Sequence, residues 1–299
     1  MNVDEVRRVL IVGSGTVGQQ IGLQCAMHGC TVVLYDIDPQ ALESAVRNIG
    51  SYADGFLDEA RKQAALSAIE TTSDPEEAAS EVDLLSESVP EDPVLKGRVF
   101  AQFNALCPER TVFTTNTSTL IPSMFAGETG RPDRFAAFHF HQPVWTSNVV
   151  DVMPHPGTSA ETVDLLLAFA RWIGQIPIHL KQEHFSYVFN SMLAALNGEA
   201  LSLAADGVAS VEDIDRAWMG IMKMPVGPFG IMDVVGLDTV WDIADYWARH
   251  LDDARLRKNA EFVKTYTNRG HLGIKSGRGF YEYPDAAFQR PGFVESGSS

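Results

Sequence analysis

The chain has 299 residues, and because a single domain usually has roughly 100 to 200 residues, its length predicts two domains. Hydrophobic residues make up 45% and charged residues 21% of the chain, an ordinary globular composition that excludes a disordered or fibrous protein. The 23 Lys and Arg residues are outnumbered by 39 Asp and Glu residues, which gives a net charge of −16. This charge opposes binding to nucleic acid and to anionic membranes, so we expect neither as a partner.

Three cysteines, Cys25, Cys30 and Cys107, cannot all pair with one another. None lies in CxxC spacing and the histidines show no HxxxH spacing, so we predict neither a disulfide framework nor a metal site. No uninterrupted apolar run approaches the roughly 18 residues that are needed to cross a bilayer. A protein of the reducing cytoplasm fits these observations best.

Short β-branched runs alternate with helix-like stretches through the first half of the chain. This alternation predicts a mainly parallel sheet, and the near-continuous apolar character of the runs is expected when helices cover both faces. The predicted strands are 8–13, 31–36, 82–88, 111–116, 135–140, 149–153 and 176–180.

From residue 183 onward the pattern is helical, with apolar residues three and four positions apart. The predicted helices are 188–205, 211–219, 237–250 and 256–269. We therefore expect an α/β domain over residues 1–182, followed by an all-helical domain over residues 183–299.

A glycine-rich loop follows the first predicted strand and precedes a helix. Its sequence, Gly13-Ser14-Gly15-Thr16-Val17-Gly18, matches GxGxxG, in which the glycines permit a tight turn, a close phosphate and close helix packing. Asp36 ends the second strand about 20 residues later, where a carboxylate accepts hydrogen bonds from a ribose 2′-hydroxyl and repels a 2′-phosphate. The first domain is therefore predicted to be of Rossmann type and to bind NAD in preference to NADP.

Histidine is the usual base that takes a proton from an alcohol while hydride leaves the same carbon. His139 is the candidate, because it lies at the C-terminal end of a predicted strand, the edge where ligands bind in open α/β sheets. Twelve residues later, beyond a turn that contains Pro143, a second extended run reaches Asp151. A returning strand would bring this carboxylate beside the imidazole. His141 stays a competing candidate, since alternation along an extended chain points its side chain the same way.

The chain resembles the L-3-hydroxyacyl-CoA dehydrogenases, including the short-chain 3-hydroxybutyryl-CoA members, over nearly its full length. The resemblance rests on landmarks that follow one another in the family's order. They are the glycine loop with Asp36, Glu87-Ser-Val-Pro-Glu91 with Lys96, Asn116-Thr-Ser118, Phe138-His139-Phe140 with Pro143, Asn190, Pro225-Val-Gly-Pro-Phe229, Gly236-Leu-Asp238 and Lys275-Ser-Gly-Arg-Gly279-Phe280-Tyr281.

The resemblance implies that His139 is the catalytic base, that Asp151 orients it, and that Ser118 and Asn190 contact the reacting part of the substrate. It implies a homodimer built mainly through the helical domain, and a place in fatty acid metabolism. For NAD it implies contacts beyond the glycine loop, from Glu91, Lys96, Asn116, Ser118 and Lys275.

Three positions depart from the family's pattern. The family usually has Glu at position 151, Asn-Pro where this chain has Gln142-Pro143, and Asn-Arg where this chain has Asn190-Ser191. One methylene fewer shortens the reach of Asp151 by about 1.5 Å, so we expect a backbone shift or a bridging water between the acid and His139.

These observations predict an NAD-dependent oxidation of a 3-hydroxyacyl thioester, with CoA as the expected carrier, or the reverse reduction. Residues that bind CoA in relatives cannot be matched one by one after Asp36, where Arg47, Arg61 and Lys62 are only nearby cations. A free hydroxy acid, as in the related gulonate dehydrogenases, or a thioester on acyl carrier protein therefore stays an alternative. A further alternative is a catalytically silent NAD-binding protein. A lysine base of the 6-phosphogluconate dehydrogenase type is excluded, because the segment around Asn190 contains no lysine in its place.

Overall fold

The computed structural model describes residues 1–295, and the chain divides into two compact units, Met1–Val188 and a second unit that begins at Phe189. The boundary predicted from the sequence, after residue 182, lies just before this division. Within the described residues, no helix combines the length and the apolar character that a membrane span requires.

An eight-stranded sheet forms the centre of the first unit. The strands are β1 Arg8–Val12, β2 Thr31–Tyr35, β3 Ile69–Thr72, β4 Leu84–Glu87, β5 Val112–Thr115, β6 Phe135–Phe140, β7 Val149–Pro154 and β8 Ile176–His179. Their order in the sheet is β3-β2-β1-β4-β5-β6-β7-β8, and every neighbouring pair is parallel except β6 with β7. The predicted mainly parallel sheet is thus confirmed.

Helices cover both faces of the sheet. Successive side chains of a strand point to opposite faces, and on β1 Val9 and Ile11 belong to one buried cluster while Leu10 and Val12 belong to another. Burial on both faces explains why these strands are apolar without alternation. The helices of this unit are α1 Thr16–Met27, α2 Pro39–Asp54, α3 Glu59–Ser67, α4 Pro75–Ala79, α5 Pro93–Leu106 and α6 Ala160–Trp172.

Three of these helices begin at an Asp-Pro pair. The proline occupies the first helical position, where its missing N–H costs no hydrogen bond. The preceding aspartate accepts a hydrogen bond from a free N–H group of the first turn, at 2.8 to 2.9 Å. The pairs are Asp38-Pro39 for α2, Asp74-Pro75 for α4 and Asp92-Pro93 for α5.

The second unit is helical, as predicted. Its helices pack around a separate core that includes Leu201, Phe229 and Val263. They are α7 Phe189–Ala205, α8 Val211–Met222, α9 Pro228–Val235, α10 Leu237–His250 and α11 Ala254–Thr267. The sequence did not predict α9, because this helix is only eight residues long and lies between glycines.

A buried aspartate on α8 holds the start of α9. Asp215 is fully buried and accepts hydrogen bonds from the backbone N–H groups of Phe229 and Gly230, at 2.8 and 3.0 Å, and from the Tyr281 hydroxyl, at 2.9 Å. Burial raises the pKa of Asp215 to about 6, against the opposing effect of these hydrogen bonds.

A second buried aspartate, Asp233 on α9, binds the C-terminal segment. Its carboxylate accepts from the backbone N–H groups of Phe280 and Tyr281, at 2.8 and 2.9 Å, and from the Tyr283 hydroxyl, at 3.0 Å. Two of the landmark segments, around Phe229 and around Phe280, therefore hold the helical unit together through these two carboxylates.

Candidate active site

The predicted site residues of the first unit collect at one edge of the sheet. Strands β1, β2, β4, β5 and β6 are parallel, so their carboxyl ends lie at the same edge. Between β1 and β4 the order of the strands reverses, which is the place where open α/β sheets form a ligand crevice. The glycine loop follows β1, and the segment that begins with Ser88 follows β4.

The glycine loop requires its glycines for specific reasons. Gly13 has a φ of +106°, and a Cβ there would lie 2.7 Å from the Ser88 carbonyl oxygen. A Cβ on Gly18 would lie 2.1 Å from the Gly13 carbonyl oxygen, so only glycine allows α1 to start this close to the loop.

The start of α1 is suited to a pyrophosphate. A Cβ on Gly15 would meet no atom of the described residues within 4 Å, so a phosphate has room to approach the backbone there. Among the described residues, no side chain forms a capping hydrogen bond at the N-terminus of α1, where Gly15 is the N-cap. The first N–H groups of the helix are therefore available to bind an anion. The loop residues Thr16 and Val17 form the first turn of α1.

Asp36 lies directly after β2 and faces the glycine loop. Its Oδ2 accepts hydrogen bonds from the backbone N–H and from the hydroxyl of Ser14, both at 2.8 Å. A carboxylate has about four lone-pair sites, so Asp36 keeps acceptor capacity for a ribose hydroxyl.

A buried ion pair ends β4. The Lys96 ammonium donates to Glu87 Oε1 at 2.7 Å and lies 3.3 Å from Glu91 Oε2, and the side chains of Lys96 and Glu87 are 1% and 0% exposed. Burial raises the pKa of Glu87, while the Lys96 charge and hydrogen bonds from Lys96, Thr115 and Val89 act in the opposite direction. A buried ion pair adds little net stability, because both ions lose their hydration when they are buried. Its effect here is to hold the Lys96, Glu87 and Glu91 side chains in place.

Glu91 organises the loop that carries Ser118. Its Oε1 accepts from the backbone N–H groups of Ser118 and Thr119, at 3.1 and 3.2 Å, and from the hydroxyls of Thr117 and Thr119. Burial raises the pKa of Glu91, but the Thr117 hydrogen bond and the Lys96 charge outweigh this effect, so its pKa is lowered overall. The Ser118 side chain is exposed at the sheet edge.

Asn116 connects two strand ends. It follows β5, and its side-chain oxygen accepts a hydrogen bond from the backbone N–H of Phe140 at 2.8 Å. The last residues of β6, including His139, are thereby tied to the loop that carries Ser118.

His139 and Asp151 lie opposite each other on the antiparallel strands β6 and β7. His139 Nδ1 is 3.0 Å from Asp151 Oδ2, and the two residues are 4% and 1% exposed. The prediction of a bridging water is wrong, because residues paired directly across antiparallel strands are close enough for the shorter aspartate to reach the ring. The alternative, a backbone shift, stays a prediction.

His141 shares the same carboxylate oxygen. Its Nε2 also lies 3.0 Å from Asp151 Oδ2, and its ring centroid is 4.6 Å from that of His139. Burial raises the pKa of Asp151, but the hydrogen bonds from His139 and His141 outweigh burial, and the pKa is lowered overall. Asp151 is thus an anion that accepts from two imidazoles.

One residue of the site, Tyr187, carries no signal in the sequence that predicts its role. Tyr187 is 1% exposed, and its ring centroid lies 4.7 Å from that of His139. Tyr187 and the preceding Ser186 both have positive φ values, of 57° and 62°, which L-residues rarely adopt and which often occur at functional sites. Burial raises the pKa of Tyr187 well above its ordinary value, with nearby carboxylates acting the same way, so the phenol stays neutral. Only its position three residues before Asn190 could have drawn attention to it.

Two predicted site residues lie in the second unit. Asn190 is in the first turn of α7, and Lys275 forms an ion pair with Asp238 of α10 at 2.5 Å.

Comparisons with known proteins identify the family to which the sequence is similar. The family model described as "3-hydroxyacyl-CoA dehydrogenase, NAD binding domain" matches residues 8–183, and the model described as "3-hydroxyacyl-CoA dehydrogenase, C-terminal domain" matches residues 187–283.

Individual relatives match over nearly the whole chain. A protein of Bacillus subtilis named "Probable 3-hydroxybutyryl-CoA dehydrogenase" is 30% identical over 286 residues, which cover 94% of this chain and 99% of that protein. The structure of (S)-3-hydroxybutyryl-CoA dehydrogenase from Ralstonia eutropha is similar with a TM-score of 0.84 and 30% identity, covering 94% of this chain and 100% of the other. A structure described as a diketoreductase that acts on dicarbonyl compounds has a TM-score of 0.87 and 37% identity, covering 93% and 99% of the two chains.

Proposed function

Because the chain belongs to the 3-hydroxyacyl-CoA dehydrogenase family and is an NAD-dependent dehydrogenase, we propose that it interconverts a 3-hydroxyacyl-CoA and the 3-oxoacyl-CoA, with His139 as the general base. The observation that carries the proposed role of His139 is its direct contact with Asp151 at the carboxyl edge of the sheet.

The contact with Asp151 sets the protonation of the base. When the Nδ1–H of His139 donates a hydrogen bond to the Asp151 carboxylate, the lone pair of Nε2 is left to accept the proton of the substrate hydroxyl. Bound NAD would supply the acceptor for the hydride of the same carbon, so that one C–H and one O–H bond break, a carbonyl forms and the proton passes to His139. Asp151, which stays ionised, stabilises the imidazolium that results.

Other residues support binding in this proposal. The Ser118 hydroxyl and the Asn190 amide orient the substrate oxygens. The glycine loop and Asp36 hold the pyrophosphate and the adenosine ribose of NAD. Glu91 and Lys96 help to hold NAD by ordering the loop of Ser118 and Asn116, and Lys275 contributes from the second unit.

A second candidate is the same chemistry on a substrate without CoA, such as a free hydroxy acid. The 37% identity to the diketoreductase favours it, since that protein acts on dicarbonyl compounds. The cations after Asp36 also give CoA little support, because Lys62 is paired with Asp54 and Arg47 donates to Ser44. A thioester on acyl carrier protein stays a third possibility, and the intact contact between His139 and Asp151 argues against a catalytically silent protein.

The test is a paired assay of NADH consumption with acetoacetyl-CoA and with free acetoacetate. We expect kcat/KM to be at least about 100-fold higher for the thioester, which corresponds to roughly 3 kcal/mol of additional transition-state binding. If kcat/KM were about 100-fold higher for free acetoacetate, the substrate would be the free acid and not the thioester. The same assay with NADPH in place of NADH is the control for cofactor use.

We also propose a homodimer formed through the helical unit, in the cytoplasm, within fatty acid metabolism. Helix α10 exposes Ile243, Tyr246 and Trp247 by 51%, 53% and 42%, an apolar surface that a second copy would cover. Sedimentation equilibrium of the wild type and of Trp247→Glu tests the dimer.

The three cysteines form no disulfide and are buried, which suits a reducing compartment such as the proposed cytoplasm.

A further inference from the structure

Three potential metal ligands converge on one point of the sheet edge. His139 Nδ1 and His141 Nε2 each lie 3.0 Å from Asp151 Oδ2, and the donor atoms of the three residues all lie within 4.8 Å of one another. The lack of CxxC and HxxxH spacings predicted no metal site. Those spacings do not include this arrangement, because its third ligand, Asp151, comes from the neighbouring strand β7.

The spacing of these atoms suits a small transition-metal ion. A tetrahedral Zn²⁺ with bonds of about 2.0 to 2.1 Å separates its ligand atoms by roughly 3.3 Å. The two distances from nitrogen to carboxylate oxygen, both 3.0 Å, are close to this value, and the two nitrogens lie within 4.8 Å of each other. The ligand types also fit, because imidazole and carboxylate together bind Zn²⁺ and its neighbours in the first transition row, whereas Mg²⁺ and Ca²⁺ prefer oxygen ligands.

Burial and charge favour the ion further. The Asp151 carboxylate supplies a negative charge, and the contact between His139 and Asp151 together with their low exposure, 5% and 2%, holds these two ligands in place. The His141 side chain is 16% exposed, which leaves a route from solvent to the cluster.

We propose that His139, His141 and Asp151 form an inhibitory site for a divalent transition-metal ion of the Zn²⁺ type. Coordination takes the lone pair of His139 Nδ1, so the single proton of the neutral ring must reside on Nε2. Nε2 then has no lone pair for the substrate proton, and the base is lost. The inhibition therefore rests on the proposed role of His139, whereas the binding of the ion does not.

The experiment uses the full-length protein without a polyhistidine tag, after removal of metal with EDTA. Co²⁺ is titrated while its visible absorption is recorded, and Zn²⁺ is titrated into the NADH assay with the active substrate. The test variant is His141→Phe, which keeps a ring but removes both nitrogens. The matched control is His250→Gln, which removes an exposed histidine of α10, and Mg²⁺ serves as the control ion.

We expect one Co²⁺ per chain with a tetrahedral spectrum, inhibition by Zn²⁺ that EDTA reverses, and no inhibition by Mg²⁺. In His141→Phe the Zn²⁺ concentration for half inhibition, relative to the variant's own metal-free rate, should rise by at least about 10-fold, because the loss of even an outer-shell partner costs about 10- to 100-fold in metal affinity. In His250→Gln it should stay within about twofold of the wild type, since this residue lies outside the site.

Equal Zn²⁺ inhibition of the wild type and of His141→Phe would overturn the site, provided that circular dichroism shows a folded variant. Co²⁺ binding that depends on His141 but leaves the enzyme active would keep the site and contradict His139 as the base. If no substrate is turned over, the Co²⁺ titration of the two proteins still decides whether the site exists.

Discussion

His139 and His141 make one oxygen of Asp151 the common partner of two rings, and this changes what the acid does for the base. A carboxylate that accepts a hydrogen bond from one imidazole stabilises only that ring. Here the charge of Asp151 also interacts with His141, so its stabilisation of His139 is weaker. Burial raises the pKa of Asp151, but the hydrogen bonds from His139 and His141 outweigh burial, so the ionised form of the acid is favoured. The geometry thus favours His139, the more buried ring at the strand end, as the base, and His141 as its neighbour on the acid.

Replacing Asp151 by Asn should lower kcat by roughly 10²- to 10⁴-fold, because an amide cannot stabilise the imidazolium. Without the carboxylate charge, a protonated His139 is less stable, so the pH below which kcat/KM for hydroxyacyl oxidation falls should move to a lower value. The measurement is the pH profile of kcat/KM for wild type and variant.

Asp151→Glu is the matched variant for this prediction, since it keeps the charge. The direct contact at 3.0 Å and the near-complete burial of Asp151 leave no room for a methylene, so we expect a cost of about 1 to 3 kcal/mol in the free energy of unfolding. Its pH profile should stay close to that of the wild type. Full activity and an unchanged profile in Asp151→Asn would show that the acid does not serve the base.

At the scale of the elements, pairing between strands determines the site. The antiparallel return of β7 places Asp151 opposite His139, and the hydrogen bond from Phe140 to Asn116 joins β6 to the end of β5. The sequence could predict most strands from their apolar runs, but not β3, whose Ile-Glu-Thr-Thr sequence is half exposed at the sheet edge. The interaction of Glu91 with the Ser118 loop was also beyond prediction, because 27 residues separate the partners.

Cofactor preference is a property of the loop between β1 and α1 together with the end of β2. The double change Asp36→Ser and Ile37→Arg removes the charge that repels a 2′-phosphate and adds a cation at an exposed position. We expect the ratio of kcat/KM for NADH over NADPH to fall by roughly 10- to 100-fold, the value of one charge-assisted hydrogen bond.

Ser14→Ala is the control for this change. It removes the hydroxyl hydrogen bond to Asp36 without altering charge, so the cofactor ratio should stay near that of the wild type. A wild-type enzyme that used both cofactors equally would contradict the assignment of Asp36 to the ribose.

On the scale of the whole molecule, the helical unit should show an unusual dependence of stability on pH. The pKa of Asp215 is raised to about 6 in the folded protein, above its ordinary value of about 3.9, so the folded state binds this proton more tightly than the unfolded state. The contribution of Asp215 is therefore fully present below about pH 4 and is lost as the pH rises through about 6, by about 3 kcal/mol.

Calorimetric unfolding of wild type and Asp215→Asn between pH 4.5 and 7.5 measures this effect. The asparagine carries no titrating proton, so the stability advantage of the wild type should shrink as the pH rises. A constant difference across this range would show that Asp215 titrates as an ordinary carboxylate.

The two-domain plan follows from sequence patterns, because apolar runs and helical spacing are local properties of the chain. The candidate site is only partly predictable in the same way. His139 and Asp36 could be identified from their places at strand ends, but the sharing of Asp151 by His141 and the contact of Tyr187 depend on strand register and on a buried connection. Such contacts between distant residues leave no periodic pattern in the sequence.

The central claim is that His139 accepts the substrate proton, and kcat of His139→Ala tests it most directly, with His141→Ala as the matched control. We predict a loss of roughly 10²- to 10⁴-fold for His139→Ala, less than about 10-fold for His141→Ala, and an NADH dissociation constant within about twofold of the wild type in both. A kcat for His139→Ala within a few-fold of the wild type, or equal losses at the two positions, would contradict the account.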